Sequence, residues 1–340
     1  MAILDRVRLT RSAALALLAA IALPAAAAAE TAIHFTLDRK IDGPAAPLFL
    51  AVDKGYFKAE GLDVTIDAAA GALEPVNRLA SGNYDMGVAD LNVLIKFRDD
   101  NPATAIKALF IVFDKPAYAI IARKSRGIAA PRDLEGKKLG APSADNAFTQ
   151  WPIFAKVNGI DPAKVGIENV SLSVREPMLA AGEVDAITGC SFGSYVDLKA
   201  GGVPADDLVV LAMADHGVVL YGDAIMAAPK FLAEKPEAVR AFLRAYLKAL
   251  KDTVRDPARA IESVLRRDDT AKKDVELERL RMAIRDNIVT PAVKVNGYGR
   301  VDPARLAAAI DQLALAYHFK AKDKAAEAFD PAFLPGAAER

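Results

Sequence analysis

Along the chain, short β-branched or alternating apolar runs take turns with stretches of helical spacing. Ile33–Leu37 alternates and predicts a strand, Gly43 and Pro44 break it, and Ala45–Lys54 has helical spacing ended by Gly55. Leu62–Ile66 predicts a second strand, Glu74–Ala80 a helix stopped by Gly82, and Tyr84–Val88 a third strand. Asp90 is placed to cap a helix over Leu91–Arg98, and strands follow at Ala108–Phe113 and Ala117–Ala122. The theme then repeats: strand Lys138–Gly140, helix Asn146–Val157, strand Gly166–Val170, helix Arg175–Ala181, strand Val184–Thr188, helix Ser191–Ala200. After Gly222 a strand over Ala224–Ala227 precedes long amphipathic helices. Val239, Phe242, Leu243, Tyr246, Leu247 and Leu250 share one helical face, and Asp302-Pro303 opens a last helix carrying Leu306, Ile310, Leu313 and Tyr317. Strands alternating with helices imply an α/β protein rather than a bundle or a sandwich.

The two α/β stretches echo each other. Glu74-Pro75 followed by Leu79-Ala80-Ser81-Gly82-Asn83-Tyr84-Asp85 is answered by Glu176-Pro177 followed by Leu179-Ala180-Ala181-Gly182-Glu183-Val184-Asp185. Both read as a short helix, a Gly stop, an Asp and an apolar strand, which predicts two related halves.

Composition narrows the class. The chain has 340 residues, 53% of them hydrophobic and 26% charged, with 44 basic and 44 acidic side chains. A length of this order suits about two domains, and a net charge near zero supplies no field for nucleic acid. Three His and a single Cys leave little for a zinc site or a disulfide framework. At the start, Arg6, Arg8 and Arg11 precede an apolar run over Ala13–Leu23 and the Ala stretch Ala25–Ala29. That order predicts a signal peptide over residues 1–29, cleaved before Glu30 on the general export route.

Motifs for nucleotide binding, serine hydrolysis, zinc proteolysis and dithiol chemistry are missing, and nothing in the sequence gathers His34, His216 and His318 together. The expectation is a protein without enzymatic activity, cofactor or metal. What remains are helix starts that follow strands, near Gly43-Pro44, Asp90-Leu91, Asp145-Asn146, Arg175-Glu176 and Cys190-Ser191. Ligands of open α/β sheets bind at the carboxyl ends of strands, where helix N-termini offer N–H groups.

The run Ala51-Val52-Asp53-Lys54-Gly55-Tyr56-Phe57-Lys58-Ala59-Glu60-Gly61-Leu62-Asp63-Val64 strongly resembles the hallmark of ABC-importer substrate-binding proteins for nitrate, taurine, alkanesulfonates and thiamine pyrimidine precursors. Leu79–Gly87, Asp133–Gly140, Leu179–Ala186 and Pro229–Leu243 add further matches, so the resemblance covers about Ile33 to Tyr317. It implies the type II periplasmic-binding fold, two α/β lobes around a ligand cleft joined by a hinge. The expected parts are a first lobe from 30–123, a second from 124–222, and a helical return of the first lobe with a surface tail over 223–340. Crossings are expected near Arg123 and Gly222.

Members resembling pyrimidine binders carry Leu-Asp-Trp after the first strand, whereas this chain has Leu37-Asp38-Arg39. A guanidinium in place of a stacking ring favours a carboxylate or sulfonate. The expected ligand contacts are Arg39, Gly43, Pro44, Asp90, Asn92, Asp145, Asn146, Trp151, Arg175, Cys190 and Ser191. The expected function is a monomeric periplasmic receptor that captures a small organic anion and hands it to an ABC permease with its ATPase. The alternatives are a binder of a pyrimidine-like thiamine precursor and a pyrimidine-synthase-like enzyme on the same fold. The resemblance implies that such an enzyme needs a His donor and a Cys-rich iron segment, which Cys190 alone does not supply.

Overall fold

The computed structural model describes residues 30–143 and 145–336; the expected signal peptide, Ala144 and the last four residues lie outside them. Ten strands make two five-stranded mixed sheets. The strands are β1 (Thr31–Thr36), β2 (Leu62–Asp67), β3 (Met86–Asp90), β4 (Lys107–Ile111), β5 (Tyr118–Arg123), β6 (Lys138–Gly140), β7 (Gly166–Glu168), β8 (Ala186–Cys190), β9 (Leu208–Ala212) and β10 (Asp223–Ala227). The first sheet has the order β2-β1-β3-β10-β4 and the second the order β7-β6-β8-β5-β9.

Each sheet has four parallel strands and one antiparallel strand that arrives from the other half of the chain. In the first, β10 runs antiparallel to β3 with Asp223 opposite Asp90. In the second, β5 runs antiparallel to β8 with Tyr118 opposite Cys190. β5 was expected in the first lobe, so the crossing falls before Tyr118 rather than near Arg123. Its apolar run fits either sheet equally well, and only its pairing with β8 and β9 decides. The strand β9 was not predicted.

The sequence echo is a structural one. The helices Leu73–Ala80 and Arg175–Ala181 each run into a glycine in the left-handed region, Gly82 at φ +74° and Gly182 at φ +76°, a conformation that costs glycine little. Asp85 then pairs with His34, accepting from its N–H at 2.8 Å, and Asp185 does the same for Lys138 at 2.9 Å. The Glu-Pro pairs are two positions out of step once the glycines are aligned, so they are not part of the repeat.

Helix Pro236–Arg255 lies on helix Ala46–Asp53 and on the first sheet, with Phe242 stacked 5.2 Å from Phe35 and 4.8 Å from Phe57. The expected helix Asn146–Val157 is broken into Asn146–Thr149 and Trp151–Asn158, since Pro152 has no N–H to continue the ladder. The C-terminal tail is not merely surface. It buries Ala325 and Ala328 and lays Phe329 beside Ala108 of β4, covering an edge strand.

Two crossing segments join the sheets, around Phe113–Ala117 and Val218–Gly222. The Gly222 N–H donates to the Phe113 carbonyl at 2.9 Å. Arg305 binds both segments, donating to the carbonyls of Val219 (3.0 Å), Leu220 (2.7 Å) and Asp114 (2.5 Å). Among the described residues no helix is long and apolar enough to cross a membrane.

Candidate functional site

The carboxyl ends of β1, β3 and β8 and the amino ends of β5 and β10 converge on a cavity of about 130 Å³. On the first-sheet side, the turn after β1 brings Asp38 and Arg39 to its wall. The guanidinium donates from Nε and Nη2 to the two oxygens of Asp38 at 2.9 and 2.8 Å, and from Nη2 to Asp223. It rests against Phe113 and Phe192, 5.6 and 6.0 Å from their centroids. Burial alone would lower the Arg39 pKa, but Asp38, Asp223 and Asp42 outweigh it and hold it well above its usual value. Asp223 is pushed well up, by burial first and then by repulsion from Asp38.

Asp90 ends β3 and caps helix Leu91–Asp100, accepting from the N–H groups of Asn92 (2.8 Å) and Val93 (3.1 Å). The Tyr118 hydroxyl of the second sheet also donates to it. Burial raises the Asp90 carboxyl. On the second-sheet side, Asp145 accepts from Thr188 Oγ1 at 2.6 Å and from the Ala147 N–H at 3.2 Å. Cys190 ends β8, and burial pushes its thiol up to about 11.

A smaller annex of about 30 Å³ adjoins this cavity and shares Asp38, Arg39, Phe113 and Asp223 with it. Its other walls include Pro44, Leu48, Tyr246 and Asp42. Asp42 is 5% exposed and its Oδ1 has no hydrogen-bond partner. Burial raises its carboxyl to about 6, against the pull of Arg39 and Arg279.

Of the expected contacts, Arg39, Asp90, Asp145, Asn146 and Cys190 line the cavity and Pro44 lines the annex. Five others line neither. Gly43 spends its N–H on Glu276 at 2.7 Å. Asn92 is buried behind the wall, donating to Tyr118 Oη (3.1 Å) and the Tyr221 carbonyl (2.7 Å). Trp151 is a core side chain beside Phe154. Arg175 stands behind Asp145, paired with Glu176 at 2.7 Å and Asp145 at 3.3 Å. Ser191 faces a separate groove of about 670 Å³ along helices Ser191–Ala200 and Lys273–Ala283. That groove is larger, but Lys115 and Arg285 on its walls are paired locally, with Asp215 and Asp286, and it lies away from the cluster of Asp38, Arg39, Asp90 and Asp223. Asp38, Asp42, Phe113, Tyr118 and Asp223 were not singled out from the sequence. Asp38 lay in the quoted Leu37-Asp38-Arg39 run, but Asp223 and Tyr118 become visible only through strand pairing. Among the described residues no group of three or more His, Cys, Asp or Glu is placed to hold a metal ion.

Three comparisons bear on this geometry. The family described as NMT1/THI5 like matches residues 44–260. The chain is 26% identical over 234 residues to the 4-amino-5-hydroxymethyl-2-methylpyrimidine phosphate synthase of Schizosaccharomyces pombe; the match spans 64% of each chain. It is 25% identical over 244 residues to the formylaminopyrimidine-binding protein of Halalkalibacterium halodurans, covering 70% of this chain and 72% of that one. The fold matches that of the periplasmic aliphatic sulphonate binding protein of Escherichia coli with a TM-score of 0.68 at 13% identity, over 84% of this chain and 91% of that one. The two-sheet architecture is thus the periplasmic-binding fold. The expectation that the chain is not an enzyme is overturned, because a curated relative at this level of similarity is named as a synthase.

Proposed function

Because the chain belongs to the NMT1/THI5-like family, we propose that it binds a small planar heterocycle of pyrimidine type between its two sheets and passes it to an ABC permease with its ATPase. In this reading it is exported, works in the periplasm as a monomer, and closes two lobes on the solute about the crossing segments. The observation that carries the choice of solute is the charge of the cavity. Asp38, Asp90, Asp145 and Asp223 surround one cation, Arg39. The small organic anion expected from Arg39 is disfavoured, since its guanidinium already serves Asp38 and Asp223 and an anion would meet the remaining carboxylates. Amino groups and ring nitrogens suit this wall, because buried acids offer acceptors when charged and a donor when protonated. The H. halodurans relative, named for a formylaminopyrimidine, supports the same class.

Turnover of a bound pyrimidine is the second reading, favoured by the S. pombe relative. A thermal-shift and calorimetry panel of 4-aminopyrimidines, alkanesulfonates and carboxylates tests the first. A 4-aminopyrimidine in hundredfold excess over its Kd should add about 2.7 kcal/mol of stability, and small-angle scattering should show a smaller radius. Preference for a sulfonate would overturn the reading. Recovery of a chemically altered pyrimidine from the mixture would favour the second.

A further inference from the structure

We propose that Arg39 is an internal competitor, a movable partition whose guanidinium holds the place that a planar amidine-type edge of the ligand takes when it binds. The inference rests on the solute-binding reading and deepens it.

The guanidinium stands in the wall common to the cavity of about 130 Å³ and the annex of about 30 Å³. It is held as a binding site holds a flat cation. Two parallel N–H groups meet the two oxygens of Asp38 at 2.9 and 2.8 Å, a third contact goes to Asp223, and Phe113 and Phe192 supply aromatic surface. An amidinium or a protonated aminopyrimidine presents the same paired donors and the same flat face. Behind the partition, Asp42 keeps one buried oxygen without a partner. The annex has room for about one small group such as an amine, given that a water needs roughly 10–15 Å³ by the same measure. If the guanidinium swings aside, the two spaces merge into one. A ring then fills the cavity, its amidine-type edge rests on Asp38 and Asp223, and a donor substituent reaches Asp42. The backbone is pinned, with the Arg39 carbonyl accepting from the Ala69 N–H at 3.3 Å and the Asp38 carbonyl from the Gly71 N–H at 3.1 Å, so only the side chain has to move. The ligand class is a planar heterocycle with an amidine-type edge and a donor arm, and Arg39 sets its affinity by competing for the same carboxylates.

The test is calorimetry and thermal shift with benzamidinium on wild type, Arg39→Ala and Arg39→Gln. Removing the competitor should tighten benzamidinium binding at least tenfold in both variants, and adding Asp223→Asn to Arg39→Ala should abolish the gain. If Arg39→Ala is too unstable to purify, Arg39→Gln keeps the Cβ–Cδ stem and a neutral hydrogen-bonding end without the charge and gives the same readout. Equal or weaker binding in the folded variants would overturn the proposal, as would a gain that survives Asp223→Asn. A wild type that binds no aminopyrimidine while the Arg39 variants still gain benzamidinium would count against the solute reading and leave the competitor role standing.

Discussion

The two halves of the molecule share a backbone and differ in the chemistry they bring to the cavity. At the ends of β3 and β8, Leu91 donates its N–H to the Gly222 carbonyl at 3.1 Å, and Ser191 donates to the Ala117 carbonyl at 2.7 Å. Asp90 faces Asp223 across one pair of strands, and Cys190 faces Tyr118 across the other. The first half therefore presents carboxyl groups at both positions, crowded by Asp38, Arg39 and Asp42. The second presents a thiol and a phenol, with Asp145 already engaged by Thr188. The repeated scaffold fixes where side chains arrive, while the unrepeated residues decide what they attract. Discrimination between solutes is accordingly assigned to the first half.

The largest expected effect tests that assignment directly. Asp223→Asn should weaken a bound 4-aminopyrimidine by about a hundredfold, since a hydrogen bond to a charged group contributes roughly 1.5–3 kcal/mol. Cys190→Ser should change it less than threefold. Calorimetry on both variants measures the contrast, and equal losses would erase it.

A second prediction concerns pH. The Asp42 carboxyl sits at about 6 instead of 3.8 because it is buried. Below about pH 4 it is protonated in folded and unfolded chains alike and costs nothing. Between about 4 and 6 the unfolded chain releases the proton first, so stability falls with rising pH and the deficit is complete above 6, at roughly 2–3 kcal/mol. Asp42→Asn should therefore raise the Tm at pH 7.5 and leave it unchanged at pH 4. In the second half, Asp207 has the opposite sign. The Ser125 N–H and Arg123 lower it to about 2, so its contribution is present above about pH 4 and is lost as pH falls toward 2. Asp207→Asn should lower the Tm at neutral pH, and a rise there would break the contrast.

Smaller effects test the sameness of the scaffold. Gly82→Ala and Gly182→Ala should each cost about 1–2 kcal/mol, the strain of a left-handed Cβ. Gly182→Ala should be slightly worse, because its Cβ would lie 3.0 Å from Arg126 Nη2 whereas Gly82 faces open space. Asp85→Ala should cost about 1 kcal/mol, the value of one lost hydrogen bond to the backbone, and Asp185→Ala slightly more, because it also loses an ion pair with Arg126 at 3.3 Å. Chemical denaturation reads both pairs, and a pair that differs by several-fold would mean the halves bear load differently.

Local pattern carried most of the fold into the sequence. The strand β6 and the helices Arg175–Ala181 and Ser191–Ala200 fall at their predicted bounds, because glycine stops and short apolar runs mark their ends. Sheet membership was not legible for β5, whose partners lie more than 60 residues on. The site was legible where a strand leads straight into a helix, as at Asp90 and Cys190. It was hidden where two distant strands must pair first, as at Asp223, 133 residues beyond Asp90. Arg39 lines the cavity, but its guanidinium was expected to face a ligand, since no local rule reveals that Asp223 neutralises it.

The position of β10 bears on the order in which the molecule is made. It lies inside the first sheet, between β3 and β4, yet it is the last strand to leave the ribosome. Until residues 223–227 emerge, β4 has no strand neighbour, and β3 lacks one of its two. The second sheet needs nothing beyond Ala212, so the half begun later is the first that can close. A growing chain thus carries an open apolar edge at Lys107–Ile111 for more than a hundred residues of synthesis, an exposure that invites pairing with other chains. That interval is a window in which a holding chaperone has something to grip.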